Sequence, residues 1–131
     1  MTWRYPDVDW VVAYHDELMK AQGHPAELMD RGKLEGALER PRAEAFGAEA
    51  YPAAAEKCAV LLQGVAIAHA FKDGNKRAAL GSMLSLLELN GYPIDASEAG
   101  LFDLVIGVTT GTLREVEDIA TRIRELFKLA D

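Results

Sequence analysis

The chain is poor in the features that would give it away at once. A single cysteine, Cys58, excludes an internal disulfide framework and a cysteine-based zinc cluster. Cys58 stands in an apolar run and reads as a small buried hydrophobe. Proline and glycine are scattered, five and eleven among 131 residues, and half the chain is apolar, which argues against disordered and fibrous classes. Basic residues are the minority, 14 against 21 acidic, for a net charge of −7. Such a field repels phosphate backbones and disfavours non-specific binding of DNA or RNA. No apolar run approaches a membrane span, and MTWRYPDVDW is not a charged-then-apolar leader, so a cytoplasmic protein is expected. No linker or repeat interrupts the chain, and 131 residues suffice for one domain over 1–131 with a real core.

What is present is helical periodicity almost throughout. A first helix is predicted from an Asp7 cap to about Gln22, stopped by Gly23, with Val8, Val11, Val12, His15, Leu18 and Met19 on its apolar face. His15 on that stripe reads as a satisfied core or helix-packing histidine rather than a ligand. A second, short helix is expected from about Lys33 to Glu39, ending at the Arg40–Pro41 step because a residue before proline avoids helical angles. PRAEAFGAEAYP, near residues 41–52, then reads as an ordered loop or irregular hairpin. Pro52 suits the first turn of a third helix, which carries Cys58, Leu62, Val65 and His69 on one face. A fourth helix begins near Asn75 and is apolar almost all round from Ala78 to Leu89, so it should be central. Ser97 opens a fifth helix to about Val108, and Thr112 with Glu115 is expected to form the capping box of the last one. Leu113, Val116, Ala120, Ile123 and Phe127 should then face inward. The fold class expected is all-α, a compact bundle of about six helices with one irregular flap.

One junction concentrates the chemistry: HAFKDGNKRAAL, residues 69–80. It holds a histidine, a carboxylate, a glycine turn and two cations but no serine or cysteine nucleophile. The first amides of a helix starting near Asn75 have no partners along the helix, and with the dipole they form an anion site. Gly74 lets backbone approach a bulky anion closely. Lys76 and Arg77 put positive charge at the helix end that prefers negative charge, a conflict that a bound phosphate would resolve. Asp73 could ligate magnesium beside phosphates, since that ion uses few protein carboxylates. His69 could accept a proton from an incoming hydroxyl near neutral pH. Asp-Gly-Asn is also an ordinary interhelical turn with solvated cations beside it, and spacing alone leaves both readings standing.

The nine positions from His69 to Arg77 resemble the Fic/Doc signature in full: His69, Phe71, Asp73, Gly74, Asn75, Lys76, Arg77. The resemblance extends over roughly residues 10–95, through LMDRGKLEGALERP, AAAEKCAVLLQGVAIAH and LELNGY, and is strongest to the death-on-curing (Doc) branch. Where AMP-transferring Fic proteins carry a small residue and a second arginine, this chain has Lys76 and Leu80. The resemblance therefore implies a toxin of a toxin–antitoxin pair. Its activity would be a kinase moving the γ-phosphate of ATP, with Mg2+, to a threonine or serine hydroxyl of a translation factor, elongation factor Tu in the family, arresting translation. By position it implies His69 as base, Asp73 as magnesium ligand and Gly74, Asn75 and Lys76 as the phosphate cradle. Arg77 would bind a terminal phosphate, Phe71 would anchor the loop, and the Arg40–Tyr51 insert would be the flap that aligns the target. The family's inhibitory string of Ser or Thr, three residues, Glu and then Gly or Asn is absent, Thr121–Glu125 being followed by Leu126. A separate antitoxin polypeptide is expected to inhibit instead. Two alternatives remain at this point: transfer of AMP to a protein hydroxyl, and a non-catalytic binding module of the same shape.

Overall fold

In the computed structural model, which describes residues 2–131, Asp7 ends an extended N-terminal segment by accepting the Trp10 amide at 2.8 Å. Helix α1 (Val8–Ala21) follows and buries Val11, His15 and Met19, one residue per turn along one stripe. Gly23, at φ +72°, turns the chain away where the sequence places the stop. Asp30 caps α2 (Arg31–Glu39) by accepting from Lys33 N–H at 3.0 Å, two residues ahead of the expected start. Pro41 does not end the helical path outright. It enters a 3₁₀ turn, Arg40–Arg42, where its missing N–H costs nothing.

The insert is a short antiparallel hairpin of β1 (Glu44–Ala45) and β2 (Ala48–Glu49), with Glu44 opposite Glu49. Phe46 and Gly47 make its two-residue turn at φ +54° and +79°, the double left-handed geometry that matches strand twist. The Phe46 ring is wholly exposed. Below the strands, the fully buried Lys57 reaches out to Glu49, Nζ to Oε1 at 2.8 Å, beneath the Trp3 ring at 5.4 Å.

Helix α3 (Ala54–Ala68) begins after the expected proline position: Pro52 precedes the capping residue Ala53, whose N–H donates to the Glu56 carboxylate at 3.1 Å. It is the centre of the fold, packed against α2, α4 (Asn75–Leu89), α5 (Glu98–Thr110) and α6 (Val116–Phe127). Burial therefore extends around most of its circumference rather than along the one face that the spacing suggested. Ser97 caps α5, accepting from Gly100 N–H at 3.0 Å. The expected Thr112–Glu115 box does not form, and α6 starts three residues later than Leu113. Thr112 is drawn back to the end of α5 instead: its hydroxyl lies 3.2 Å from that of Thr110, and Leu113 N–H donates to the Gly107 carbonyl at 2.8 Å. Helix α6 then buries Ile119, Ala120, Ile123 and Phe127, while Leu113 and Val116 pack partly buried against the core. The fold is all-α, six helices among the described residues with one small hairpin. No helix among them is long and apolar enough to cross a membrane.

Cys58 is wholly enclosed in this core, and burial pushes its thiol from 9.0 up to about 12. Above pH 9 the unfolded chain sheds a proton that the folded one keeps, so this residue makes stability fall as pH rises toward 12. Melting temperatures from pH 8 to 11 should fall less steeply for Cys58→Ala than for the wild type, and thiol reagents at pH 8 should label Cys58 only once the protein unfolds.

Candidate active site

Helix α3 ends by turning sharply. His69 is its C-terminal cap in the left-handed region, φ +49° and ψ +43°. That conformation takes the imidazole off the buried stripe of Cys58, Leu62 and Val65, where helical spacing had placed it, and leaves it exposed. Non-glycine residues in this region are uncommon, and the surrounding chain must hold them there.

The holding is done by backbone. Ala70 carbonyl accepts from Met29 N–H at 2.7 Å and Asp30 N–H at 3.0 Å, and Lys72 N–H donates to Glu27 carbonyl at 3.0 Å. Phe71 forms an antiparallel bridge with Leu28, its side chain 2% exposed. From the other side Asn75 closes a two-way clasp, Nδ2 to the Phe71 carbonyl at 2.9 Å and Phe71 N–H to Oδ1 at 3.1 Å. The Asn75 side chain is thus occupied by the loop, which leaves its backbone N–H as its contribution to any anion site. Gly74, at φ +77°, is the residue before α4. A Cβ there would come within 2.8 Å of both His15 Nε2 and Met19 Sδ, so the glycine admits α1 as well as whatever approaches from solvent.

The first helical bond of α4 runs from Ala78 N–H to Gly74 carbonyl at 3.0 Å. The N–H groups of Asn75, Lys76 and Arg77 precede that ladder and have no partner along the helix. They border a cavity of about 980 Å³ that His69 and Asp73 also line. Lys72, Lys76 and Arg77 stand on the same wall, exposed, and none forms an ion pair among the described residues. Two carboxylates among the described residues line the cavity, Asp73 and Glu98. Most of the remainder is apolar, chiefly α5, with Leu101, Phe102, Val105 and Ile106 beside Leu80 of α4 and Ile67 of α3, while His24, Thr109 and Thr110 add polar groups. Phe102 is 61% exposed on that wall. A cavity with cations and free amides on one part and mostly apolar side chains on the rest is amphipathic in the way a nucleotide is.

Among the described residues no group of three or more His, Cys, Asp or Glu side chains converges to cage a metal ion. Asp73 alone suits magnesium, which keeps several waters and takes the rest of its shell from phosphate oxygens. Its Oδ1 now accepts from Gly74 N–H at 2.7 Å, leaving Oδ2 available.

Two residues of α1, His15 and Tyr14, stand behind the site. His15, fully buried, has Nε2 2.7 Å from the Asp73 carbonyl oxygen and its ring stacked on Phe71, centroids 3.7 Å apart. It is the helix-packing histidine that its position on the stripe suggested, but only half satisfied, since its Nδ1 has no hydrogen-bond partner among the described residues. Tyr14 fills the notch at Gly81 and stacks on Trp10 at 5.1 Å. Burial raises the Tyr14 hydroxyl above its ordinary value, and the positive charge of Arg77 offsets part of that rise. A histidine eight residues before a glycine stop carries no sign of a partner 58 residues away, so neither contact was visible in spacing.

Comparison with known proteins places the chain in a family. The model of the Fic/DOC family matches residues 5–87. A protein of Mycolicibacterium smegmatis described as Toxin Doc is 41% identical over 76 residues, 58% of this chain and 58% of that relative. The chain described as Protein kinase doc, from Escherichia phage P1, is 32% identical over 129 residues, covering 98% of this chain and 99% of the relative.

Proposed function

The chain belongs to the Fic/DOC family, and from that premise we propose that it is the toxin of a toxin–antitoxin pair, acting in the cytoplasm as an ATP- and magnesium-dependent protein kinase. One observation carries the reading. In a chain of net charge −7, three cations without ion pairs gather where the N-terminus of α4 opens into a cavity beside an exposed histidine. Like charges assembled at the wrong end of a helix dipole are explained by an anion that binds there.

In this reading the N–H groups of Asn75, Lys76 and Arg77, with Gly74, hold phosphate oxygens, and Arg77 neutralises the terminal phosphate. Asp73 contributes a carboxylate to the ion. ATP would supply an electrophilic γ-phosphorus, and magnesium held with the help of the Asp73 carboxylate would spread the charge of transfer. His69 takes the proton of the target hydroxyl as its oxygen bonds to that phosphorus and ADP leaves. The apolar wall of α5 suits a nucleobase. Transfer of phosphate rather than AMP is supported by Lys76 and Leu80, which stand where the resemblance to AMP-transferring members would require a small residue and an arginine. Leu80 in fact faces the cavity as an apolar group. The target in this proposal is a threonine or serine of a translation factor, elongation factor Tu by family resemblance. The name Toxin Doc of one relative fits a toxin held in check by a separate antitoxin protein, and the name Protein kinase doc of the other fits the activity.

The test is the origin of the label. Incubated with bacterial translation factors, the protein should transfer radioactivity from γ-labelled ATP and none from α-labelled ATP. Label arriving only from the α position would make it an AMP transferase, and no label from either would favour the non-catalytic module. Intact-mass spectra of the same factors identify which protein gains the group.

A further inference from the structure

His15 is enclosed in α1 with one nitrogen unsatisfied, a less favourable state than an apolar ring of the same shape would have there. Asp16 Oδ1, 3.6 Å from Nδ1, is too far for a good hydrogen bond. The other nitrogen is fully used. The Asp73 carbonyl can only accept, so Nε2 carries the proton and donates to it at 2.7 Å. The ring lies on Phe71 with 19° between planes, and Gly74 is bare where a Cβ would strike Nε2. Three residues of the loop, Phe71, Asp73 and Gly74, are therefore fitted to one imidazole.

We infer that His15 is a positioning residue of the nucleotide site, acting through the peptide that joins Asp73 to Gly74. In a trans peptide the carbonyl and the N–H point opposite ways. With the carbonyl drawn into α1, the Gly74 N–H is turned outward, where it now meets the Asp73 carboxylate. That N–H is thereby engaged by the carboxylate, and the fixed peptide sets where the free amides of Asn75, Lys76 and Arg77 begin. The imidazole also fixes the backbone from which the Asp73 carboxylate departs. The inference rests on the proposed binding of Mg–ATP.

Two variants separate the bond from the packing. His15→Phe keeps a ring on Phe71 and loses the donor, whereas His15→Gln keeps a donor at nearly the position of Nε2 and loses the ring. Calorimetry with Mg–ATP should show affinity about tenfold weaker for His15→Phe, as expected for one lost hydrogen bond, and within about threefold of wild type for His15→Gln. The melting temperature should not follow that order. A purely structural role would rank the variants by stability instead, with no rescue by glutamine, and that result overturns the inference. Wild-type affinity in His15→Phe overturns it too while leaving the nucleotide reading intact, and absence of uptake by the wild type overturns both. Should His15→Phe fail to fold, the imidazole of the wild type decides. A 15N spectrum should show Nε2 protonated, with slower proton exchange once Mg–ATP is added, and an unprotonated Nε2 or an unchanged exchange rate would refute the inference.

Discussion

Replacing His69 with alanine should reduce phosphate transfer to the target by about 10²- to 10⁴-fold, the usual contribution of a general base. Growth arrest on expression of the chain should disappear with it. The expectation is specific because His69 is exposed and its side chain makes no hydrogen bond among the described residues, so little packing is lost with the ring. Its left-handed backbone is set by the pairing of Ala70 and Lys72 with the 27–30 segment rather than by the imidazole. Alanine at φ +49° should then change stability by no more than about 1 kcal/mol. Initial rates of transfer from γ-labelled ATP, taken beside a melting curve, check both halves. A variant with an unchanged melting curve and a rate within threefold of wild type would remove His69 from the chemistry.

Gly74→Ala should damage fold and site together. Two penalties coincide: a non-glycine residue at φ +77°, and a Cβ 2.8 Å from His15 Nε2 and Met19 Sδ, atoms of a buried ring and a buried thioether. Strain and overpacking of this kind cost about 1–3 kcal/mol each. Gly91 is the matched control, at φ +81° with nothing within 4 Å of its ideal Cβ. Gly91→Ala carries the backbone penalty alone. Denaturant titrations should find Gly74→Ala the less stable of the two by at least about 1 kcal/mol, and calorimetry should find its uptake of Mg–ATP weakened. Equal losses of stability would mean that α1 yields to the extra carbon and that the close fit at Gly74 is of no consequence.

Much of this was legible because local rules governed it. Asp7 and Ser97 cap where small polar side chains precede apolar periodicity, and the all-round apolar run after Ala78 became the helix packed most closely on α3. The site's residues were legible as a dense string, since His69, Asp73 and the N-terminus of α4 are neighbours in sequence before they are neighbours in space. What escaped was carried by long-range backbone contact. The bridge between Leu28 and Phe71 uses carbonyls and amides that every residue possesses, in a segment with no strand-like alternation. Thr112 and Glu115 had the right spacing for a capping box, and tertiary context overrode it through the Leu113–Gly107 bond. His69 left its predicted face because one residue in the left-handed region resets helical phase, which no periodicity count can register. His15 showed its stripe but not the loop across from it.

The Lys57–Glu49 pair bears on how a second chain would be received. The ammonium is sealed inside while its carboxylate mate belongs to β2, so the hairpin is moored by one leg to the interior. Its other leg and the Phe46 bow carry no such mooring, and Glu44–Ala45 presents the edge away from that post. A rim fastened on one side would have few postures to surrender if an extended peptide paired along the other, so such docking would be less demanding in entropy than on a free-swinging arm.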